Sequence, residues 1–198
     1  MNNMKITNTQ EGPSVAQLEA ELKRERYKKR YRTVLKSTVY TLITVAAVAV
    51  LVATLWLPVL QIYGSSMTPT LQDGEIIFSV KTDKMETGDI IAFYYNNKIL
   101  VKRVIAQPGD WVNFDEDGTV YVNSIPLEEP YLTEKALGEC DIELPYQVPD
   151  GKIFVMGDHR STSIDSRSTA VGCVEQEQIV GKIIFRVWPM ERIGIIED

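Results

Sequence analysis

The sequence predicts a mainly β protein that follows a single membrane-spanning helix. Two observations predict this class. No charged residue occurs from Ser37 to Gln72, and most of that stretch is apolar. Beyond it, short apolar or alternating runs are separated by turn residues, with little helical periodicity. A chain of 198 residues holds one domain, with or without an insertion, once the helix is subtracted.

The charge distribution indicates how the chain lies in a membrane. The formal net charge is −6, which argues against a nucleic acid as the main partner. Basic residues nevertheless crowd into one short run before the apolar stretch, namely Lys23, Arg24, Arg26, Lys28, Lys29, Arg30, Arg32 and Lys36. Such runs stay on the cytoplasmic side. We therefore expect residues 1–36 to be a cytoplasmic segment, with a charged helix from about Ser14 to Arg32.

Residues 37–61 are predicted to be a retained, single-pass anchor in the lipid bilayer. About 20 apolar residues span a hydrocarbon core of ~30 Å as a helix. A cleavable secretory signal is the competing interpretation. A cleavable signal is disfavoured because the segment before the apolar stretch is long and because the stretch itself exceeds the usual length. In addition, the stretch is not followed by a small-x-small cleavage site and a polar N-terminus of a mature protein. Residues 62–198 are then expected on the outer face of the cell membrane.

The exported region reads as a series of strands. They are predicted over Glu75–Val80, Asp89–Tyr95, Lys98–Ile105, Trp111–Phe114, Thr119–Val122, Lys152–Met156 and Val180–Trp188. Turn residues at 96–97 and 115–118 predict hairpins and hence antiparallel pairing. Residues from about 107 to 149 hold most of the acidic and proline-rich loop material, which predicts a small inserted β subdomain.

The histidine and cysteine content excludes several kinds of site. His159 is the single histidine, so a two-histidine zinc site on a helix is excluded, and we expect no metal. Cys140 and Cys173 cannot form a disulfide framework. They either pair with each other or remain free, and we expect two buried thiols.

Ser66 and Lys102 are the candidate catalytic residues. Lys102 lies in an apolar strand pattern, where a lysine either reaches to water or is buried. Burial would lower its pKa and allow it to act as a general base. No Gly-x-Ser-x-Gly or Ser-x-x-Lys motif is present, and His159 lies in a polar turn. A serine–lysine dyad with partners far apart in sequence remains.

Four blocks together resemble the type I signal peptidases, specifically the Gram-positive kind with one N-terminal anchor. They are Ser66–Leu71, Gly88–Ile90, Lys102–Asp110 and Gly157–Arg167. The resemblance implies a coiled antiparallel β-sheet core in which Ser66 is the nucleophile and Lys102 the general base. His159 stands where asparagine is common, and Ala106–Gln107 replaces the usual Gly-Leu. Neither departure touches a matched catalytic position.

The resemblance also implies supporting residues around the dyad. Ser163 matches the serine that hydrogen-bonds the lysine, and Asp165 and Arg167 match its supporting ion pair. Alternation would place that pair on one strand face, whereas an exposed surface pair is the alternative. Gly64 stands where some Gram-negative relatives carry an oxyanion-stabilising serine, which leaves the Ser66 N–H as the chief donor. Met67 is expected at the substrate and bilayer surface, or simply in the core.

The resemblance implies a membrane-bound serine endopeptidase that removes signal peptides from secretory preproteins after a small-x-small site. It implies no cofactor and no nucleic acid, and we expect a monomer. Two other hypotheses stay open. A self-cleaving repressor domain of the SOS-response type would share the dyad, but the anchor argues against it. An anchored β domain that only binds partners would make Ser66 and Lys102 structural. Relatives that use histidine as the base are disfavoured by Lys102.

Overall fold

The computed structural model describes residues 14–56, 58–82 and 84–196. The chain divides into two compact units, residues 1–52 and residues 53–198. One apolar helix lies near the N-terminus, and the rest is mainly antiparallel β-structure. The predicted fold class is therefore confirmed.

One unbroken helix, α1, covers Val15–Trp56. It begins with a capping box, in which the Ser14 N–H donates to Gln17 Oε1 at 3.0 Å and the Gln17 N–H donates to Ser14 Oγ at 3.4 Å. Among the described residues α1 is the one helix long and apolar enough to cross a membrane. Residues 1–13 of the predicted cytoplasmic segment lie outside the described residues.

The separate charged helix and anchor expected from the sequence are a single element. No glycine or proline occurs from residue 15 to 56, so nothing interrupts the hydrogen-bonding pattern, and Pro58 stops the helix from continuing. The predicted anchor, residues 37–61, extends too far, because residues 59–61 form the first strand of the main sheet.

Twelve strands are described in the second unit. They are β1 (Val59–Gln61), β2 (Ile76–Val80), β3 (Ile90–Tyr95), β4 (Lys98–Ala106), β5 (Trp111–Phe114), β6 (Val120–Val122), β7 (Ile125–Pro126), β8 (Tyr146–Gln147), β9 (Lys152–Met156), β10 (Val174–Glu175), β11 (Ile179–Trp188) and β12 (Gly194–Ile195). All seven predicted strands are present, with bounds that differ by at most one residue. The five unpredicted strands have two or three residues each, too few for a periodic pattern.

The strands form two antiparallel sheets. The larger has the order β1-β2-β11-β3-β4-β9-β10, and β12 pairs with Phe185 and Arg186 of β11. The smaller has the order β7-β6-β5-β8 and lies within the predicted insertion. Register shifts interrupt the pairing of β11 with both of its long neighbours and of β4 with β9. Such irregularities bend strands and increase their twist.

The inserted sheet shares a hydrophobic core with the larger one. Phe154 of β9 is fully buried and contacts the rings of Phe114 and Tyr146 at centroid distances of 6.3 and 5.9 Å. The same cluster includes Val112 and Val120 of the insertion and Met156 of the main sheet. The insertion therefore packs as part of the second unit, residues 53–198, rather than as a separate body.

Truncating the shared core should destabilise the whole second unit. For Phe154→Ala we expect a loss of about 3–5 kcal/mol in the free energy of unfolding, because the change leaves a cavity between the two sheets. Ile125→Ala, at a residue that is 69% exposed, is the matched control and should stay within about 0.5 kcal/mol. Denaturant unfolding of the full chain in detergent measures both. Separate transitions for the two sheets would contradict the shared core.

Candidate active site

The structure brings Ser66 and Lys102 into direct contact. The Lys102 Nζ donates a hydrogen bond to Ser66 Oγ at 2.7 Å. Ser66 lies in the turn between β1 and β2, and Lys102 lies in the middle of β4, where it pairs with Ile91 of β3. The fold thus brings together two residues that lie 36 positions apart in the sequence.

Burial of the Lys102 side chain changes the chemistry of its amine. The residue is 3% exposed, so it does not reach to water as an isolated strand lysine would. Burial lowers the pKa of Lys102 to about 8, opposed by the charges of Asp165 and Asp158 and assisted by that of Arg167. A sizeable fraction of neutral amine therefore exists at mildly alkaline pH, when it can accept a proton from Ser66.

The turn that carries Ser66 is fixed on both sides. The Ser66 carbonyl accepts a hydrogen bond from the His159 N–H at 3.0 Å. Thr70 is held twice, since its hydroxyl donates to Asp158 Oδ2 and its carbonyl accepts from Arg186 Nη2, each at 2.5 Å. Backbone and side-chain contacts on either side of Ser66 therefore limit the positions open to its hydroxyl.

Asp165 and Arg167 form a buried, bidentate ion pair. Arg167 Nε donates to Asp165 Oδ1 and Nη2 donates to Oδ2, both at 2.8 Å, and neither side chain has measurable exposure. Burial alone would raise the pKa of Asp165, but the Arg167 guanidinium and the Gly157 N–H lower it overall. The two residues lie in a bend and a turn of the loop after β9 rather than in a strand, and their burial excludes the exposed surface pair given as the alternative.

Ser163 lies beside the dyad, yet its hydroxyl is not bonded to Lys102. The side chain is buried, and its Oγ has no hydrogen-bond partner of standard geometry within the described part of the chain. A Cβ atom at Gly157 would lie 2.3 Å from Ser163 Oγ and 2.5 Å from the Ser66 carbonyl oxygen. The missing side chain at Gly157 is what allows the two serines to lie so close together.

Gly64 and Met67 occupy different surroundings, although both line the same cleft. Gly64 is exposed with φ +89°, and its N–H donates to Asp73 Oδ1 at 2.7 Å. Met67 is only 2% exposed and packs with Leu71 and Ile77 in the core. The tight turn after Ser66 directs Met67 inward, which agrees with the core alternative, while Met67 also lines the cleft.

An open cleft of about 610 Å³ leads to the dyad. Its two walls are residues 60–64, together with Ser66 and Met67, and residues 97–102 at the start of β4. Most of the second wall is the β4 strand, whereas only residues 60–61 of the first wall are strand. Ser66 and Lys102 lie on opposite walls of the cleft.

Two buried ion pairs near the dyad were not predicted from the sequence. Arg103 donates to both oxygens of Asp158, at 3.0 and 2.9 Å, and both side chains are buried. Arg160 pairs with Glu129 of the insertion in the same bidentate manner. Arg103 could have been predicted to have a buried partner, because it is a second charged residue next to Lys102 in an otherwise apolar strand. No local pattern marks Glu129.

No group of three metal-ligating side chains occurs within residues 14–56, 58–82 and 84–196. Cys140 and Cys173 are half-buried free thiols. A buried lysine of lowered pKa beside a serine hydroxyl, at the wall of an open cleft, is an arrangement suited to a serine hydrolase.

Comparison with known proteins gives the family. The model of the family described as "Signal peptidase, peptidase S26" matches residues 35–188. Signal peptidase IB of Staphylococcus aureus (strain Mu50) is 41% identical over an alignment of 148 residues, and the match covers 65% of this chain and 76% of that protein. Signal peptidase I of Bacillus licheniformis is 38% identical over an alignment of 143 residues, and the match covers 66% of this chain and 76% of that protein. The chain therefore belongs to the signal peptidase family S26.

A solved structure is also similar to this chain. The signal peptidase I of Enterococcus faecalis V583 is 32% identical, with a TM-score of 0.41, and the match covers 50% of this chain and 96% of that one.

A side chain at position 157 should disturb both serines. Gly157→Ala places a methyl group against Ser163 Oγ and the Ser66 carbonyl, so we expect peptidase activity to fall by about 10²-fold as the reacting groups are displaced. Gly194→Ala is the matched control, since nothing lies within 4 Å of its Cβ position. Preprotein cleavage and melting temperature measured together test this. Full activity in folded Gly157→Ala would contradict the close packing.

Proposed function

We propose that this chain removes signal peptides from exported preproteins, with Ser66 as nucleophile and Lys102 as general base. The observation that carries the proposal is the 2.7 Å contact between the Ser66 hydroxyl and the buried Lys102 amine. Membership of the signal peptidase family supports the substrate class. The burial of the lysine supports the assignment of the base.

In the proposed mechanism neutral Lys102 takes the hydroxyl proton as Ser66 Oγ attacks the scissile carbonyl carbon. The resulting ammonium then gives the proton to the leaving amine as the C–N bond breaks, and an acyl-enzyme forms. Neutral Lys102 next takes a proton from water as the water oxygen attacks the acyl carbon. The Lys102 ammonium then returns this proton to Ser66 Oγ as the acyl C–O bond breaks, which frees the serine hydroxyl. Every proton and electron pair in these steps is carried by the dyad, the substrate and water.

The developing oxyanion requires donors that already point at it. Gly64 offers no side-chain donor, so we assign this role chiefly to the Ser66 N–H. The fixed turn around Ser66 supports this, because the His159 contact to the Ser66 carbonyl orients the adjoining peptide groups. A preorganised donor needs no rearrangement at the moment of attack.

Ser163, Asp165 and Arg167 are proposed to support the dyad. Ser163 is buried beside Ser66 and its hydroxyl lies near the Asp165 carboxylate, so its oxygen can accept a hydrogen bond from the Lys102 ammonium once that forms. The Asp165–Arg167 pair braces the turn that carries Ser163, because Arg167 Nη2 also donates to the Ser163 carbonyl at 3.2 Å. The ammonium would then be stabilised where it arises.

The cleft supports a substrate with small residues two positions apart. Alternate side chains of an extended peptide point to the same side, so two residues of a small-x-small site would face the wall together. Met67, Leu100 and Val101 contribute apolar side chains to the cleft lining. A peptide could approach the dyad closely there only if its facing side chains are small.

We further propose that α1 anchors the enzyme in the cell membrane with the N-terminus in the cytoplasm. The basic run before the apolar part of the helix supports this orientation. Residues 1–36 would then be cytoplasmic, residues from 37 to the end of α1 would span the bilayer, and the peptidase domain would act as a monomer on the outer face. About ten residues separate the helix end from Ser66, which keeps the nucleophile close to the membrane that delivers signal peptides.

The dyad is tested by removing each partner. Ser66→Ala and Lys102→Met should each reduce cleavage of a preprotein with an Ala-x-Ala signal by more than about 10³-fold, since nucleophile and base act as a unit. Lys102→Met should still fold, because methionine places no charge in the buried site. Lys135→Met, at an exposed lysine, is the matched control. Cleavage by folded Lys102→Met would move the base elsewhere, with His159 the next candidate.

The lysine base also predicts a pH dependence. Since the reactive form is the neutral amine and burial lowers the pKa of Lys102 to about 8, kcat should rise with pH and level off above that value. The neutral fraction increases about 50-fold from pH 6 to pH 8. Initial rates of preprotein cleavage in detergent from pH 5 to 9 measure this. A flat profile across that range would contradict a lysine base.

A further inference from the structure

A segment of the insertion crosses the buried cations next to the dyad. We call residues 127–141 the strap. It follows β7 and has no regular secondary structure up to β8. Three arginines beneath it, Arg103, Arg160 and Arg167, are at most 1% exposed. Each of the three is contacted by a different part of the strap.

Glu129 is the anionic group of the strap. Its carboxylate accepts hydrogen bonds from both terminal nitrogens of Arg160, with Nη1 at 3.1 Å from Oε2, and neither side chain is more than 1% exposed. The Tyr131 hydroxyl donates to Glu129 Oε1 at 2.8 Å. A buried carboxylate with this many donors holds both partners in one geometry.

The Arg160 guanidinium connects Glu129 to the dyad. Arg160 Nε donates to the Gly157 carbonyl at 3.2 Å. The Cα of Gly157 lies against the Ser66 carbonyl and the Ser163 hydroxyl, which leave no room for a Cβ. Two contacts thus join the carboxylate of Glu129 to the peptide against which the nucleophile rests.

The strap reaches the other two arginines as well. The Tyr131 ring covers the Arg103 guanidinium at 3.8 Å, and Arg103 is the residue after Lys102. The Leu137 carbonyl accepts from Arg167 Nη1. Gly138, with φ +64°, lies so close that a Cβ would be 2.4 Å from the Arg160 carbonyl oxygen. The strap therefore follows the surface of the site closely.

Each of the three buried arginines near Lys102 pairs with its own carboxylate. Arg103 pairs with Asp158, Arg167 pairs with Asp165, and Arg160 pairs with Glu129. Two of the three carboxylates come from the loop after β9, and the third comes from the strap. Without Glu129, Arg160 would be a buried cation lacking its carboxylate and would be drawn towards another anion or water.

We propose that Glu129 is a positioning residue for the peptidase reaction, acting through Arg160 and Gly157 on Ser66 and Ser163. It touches neither substrate nor the reacting atoms. This inference rests on the proposed function of the Ser66–Lys102 dyad. It gives the insertion a part in the chemistry, because the strap supplies the carboxylate that fixes the loop behind the nucleophile.

The first test is Glu129→Gln, which keeps the shape and removes the charge. We expect kcat for cleavage of an Ala-x-Ala preprotein to fall by about 10- to 100-fold, because the nucleophile is displaced. KM should stay within about twofold, since Glu129 does not line the cleft. Glu129→Asp keeps the charge and should retain more activity than Glu129→Gln. Parent kinetics in folded Glu129→Gln would overturn the proposal.

A double variant separates positioning from stability. Replacing both partners of a buried ion pair by apolar residues often restores stability, so Glu129→Leu combined with Arg160→Met should recover a melting temperature close to that of the parent. Its kcat should stay low, because nothing then holds the Gly157 carbonyl. Recovery of both quantities would show a structural role alone and overturn the proposal. This variant also decides the matter if Glu129→Gln fails to fold.

The control is an ion pair far from the strap contacts. Lys152 and Glu175 pair at 2.8 Å on the surface, with side chains 37% and 51% exposed. Lys152→Gln should change neither kcat nor the melting temperature appreciably. Failure of the folded parent to cleave preprotein would refute the proposed function, whereas an active parent with an equally active Glu129→Gln would refute only this inference.

Discussion

The burial of one amine sets the conditions for the rest of the site. Lys102 is buried within β4, and among the described residues its side-chain amine donates to Ser66 Oγ. An isolated ammonium in such surroundings is unfavourable, which is why the neutral form becomes accessible. The neighbouring arginines would add further positive charge, but each has its own carboxylate. Because these charges are paired, burial remains the largest influence on the pKa of Lys102.

The geometry that holds the amine against the hydroxyl comes from four separate parts of the chain. The turn after β1 brings Ser66, β4 brings Lys102, the loop after β9 brings Ser163 with its ion pair, and the insertion brings Glu129. None of these parts is held by local structure alone. The core around Phe154 joins the two sheets, so the loops that meet at the dyad rest on one packed framework.

The longer strands and the dyad were predictable because their signals are local. Apolar or alternating runs of five or more residues mark β2, β3, β4, β9 and β11, and the combined blocks mark Ser66 and Lys102. Contacts between residues distant in sequence were not predictable in this way. Glu129 lies in a loop with several other acidic residues, and only the folded chain shows that its side chain is buried against Arg160.

Errors at the predicted boundaries have physical causes as well. Hydropathy marks the apolar length of the anchor but not the residue at which a helix gives way to a strand, so β1 was included in it. The burial of Met67 depends on the direction of a tight turn, which the residue types alone do not give. Alternation would place Asp165 and Arg167 on one face only in an extended segment, whereas a bend and a turn bring the same two side chains together.

The unbroken helix has a consequence for how far the chain can move along the membrane normal. Its 42 residues extend about 63 Å at 1.5 Å per residue, roughly twice the hydrocarbon thickness. The eight basic residues between positions 23 and 36 point in all directions around the axis. Drawing one of them to the bilayer centre costs about 2.5–3.5 kcal/mol. These basic residues therefore resist entry into hydrocarbon, which limits how far the helix could shift through a bilayer.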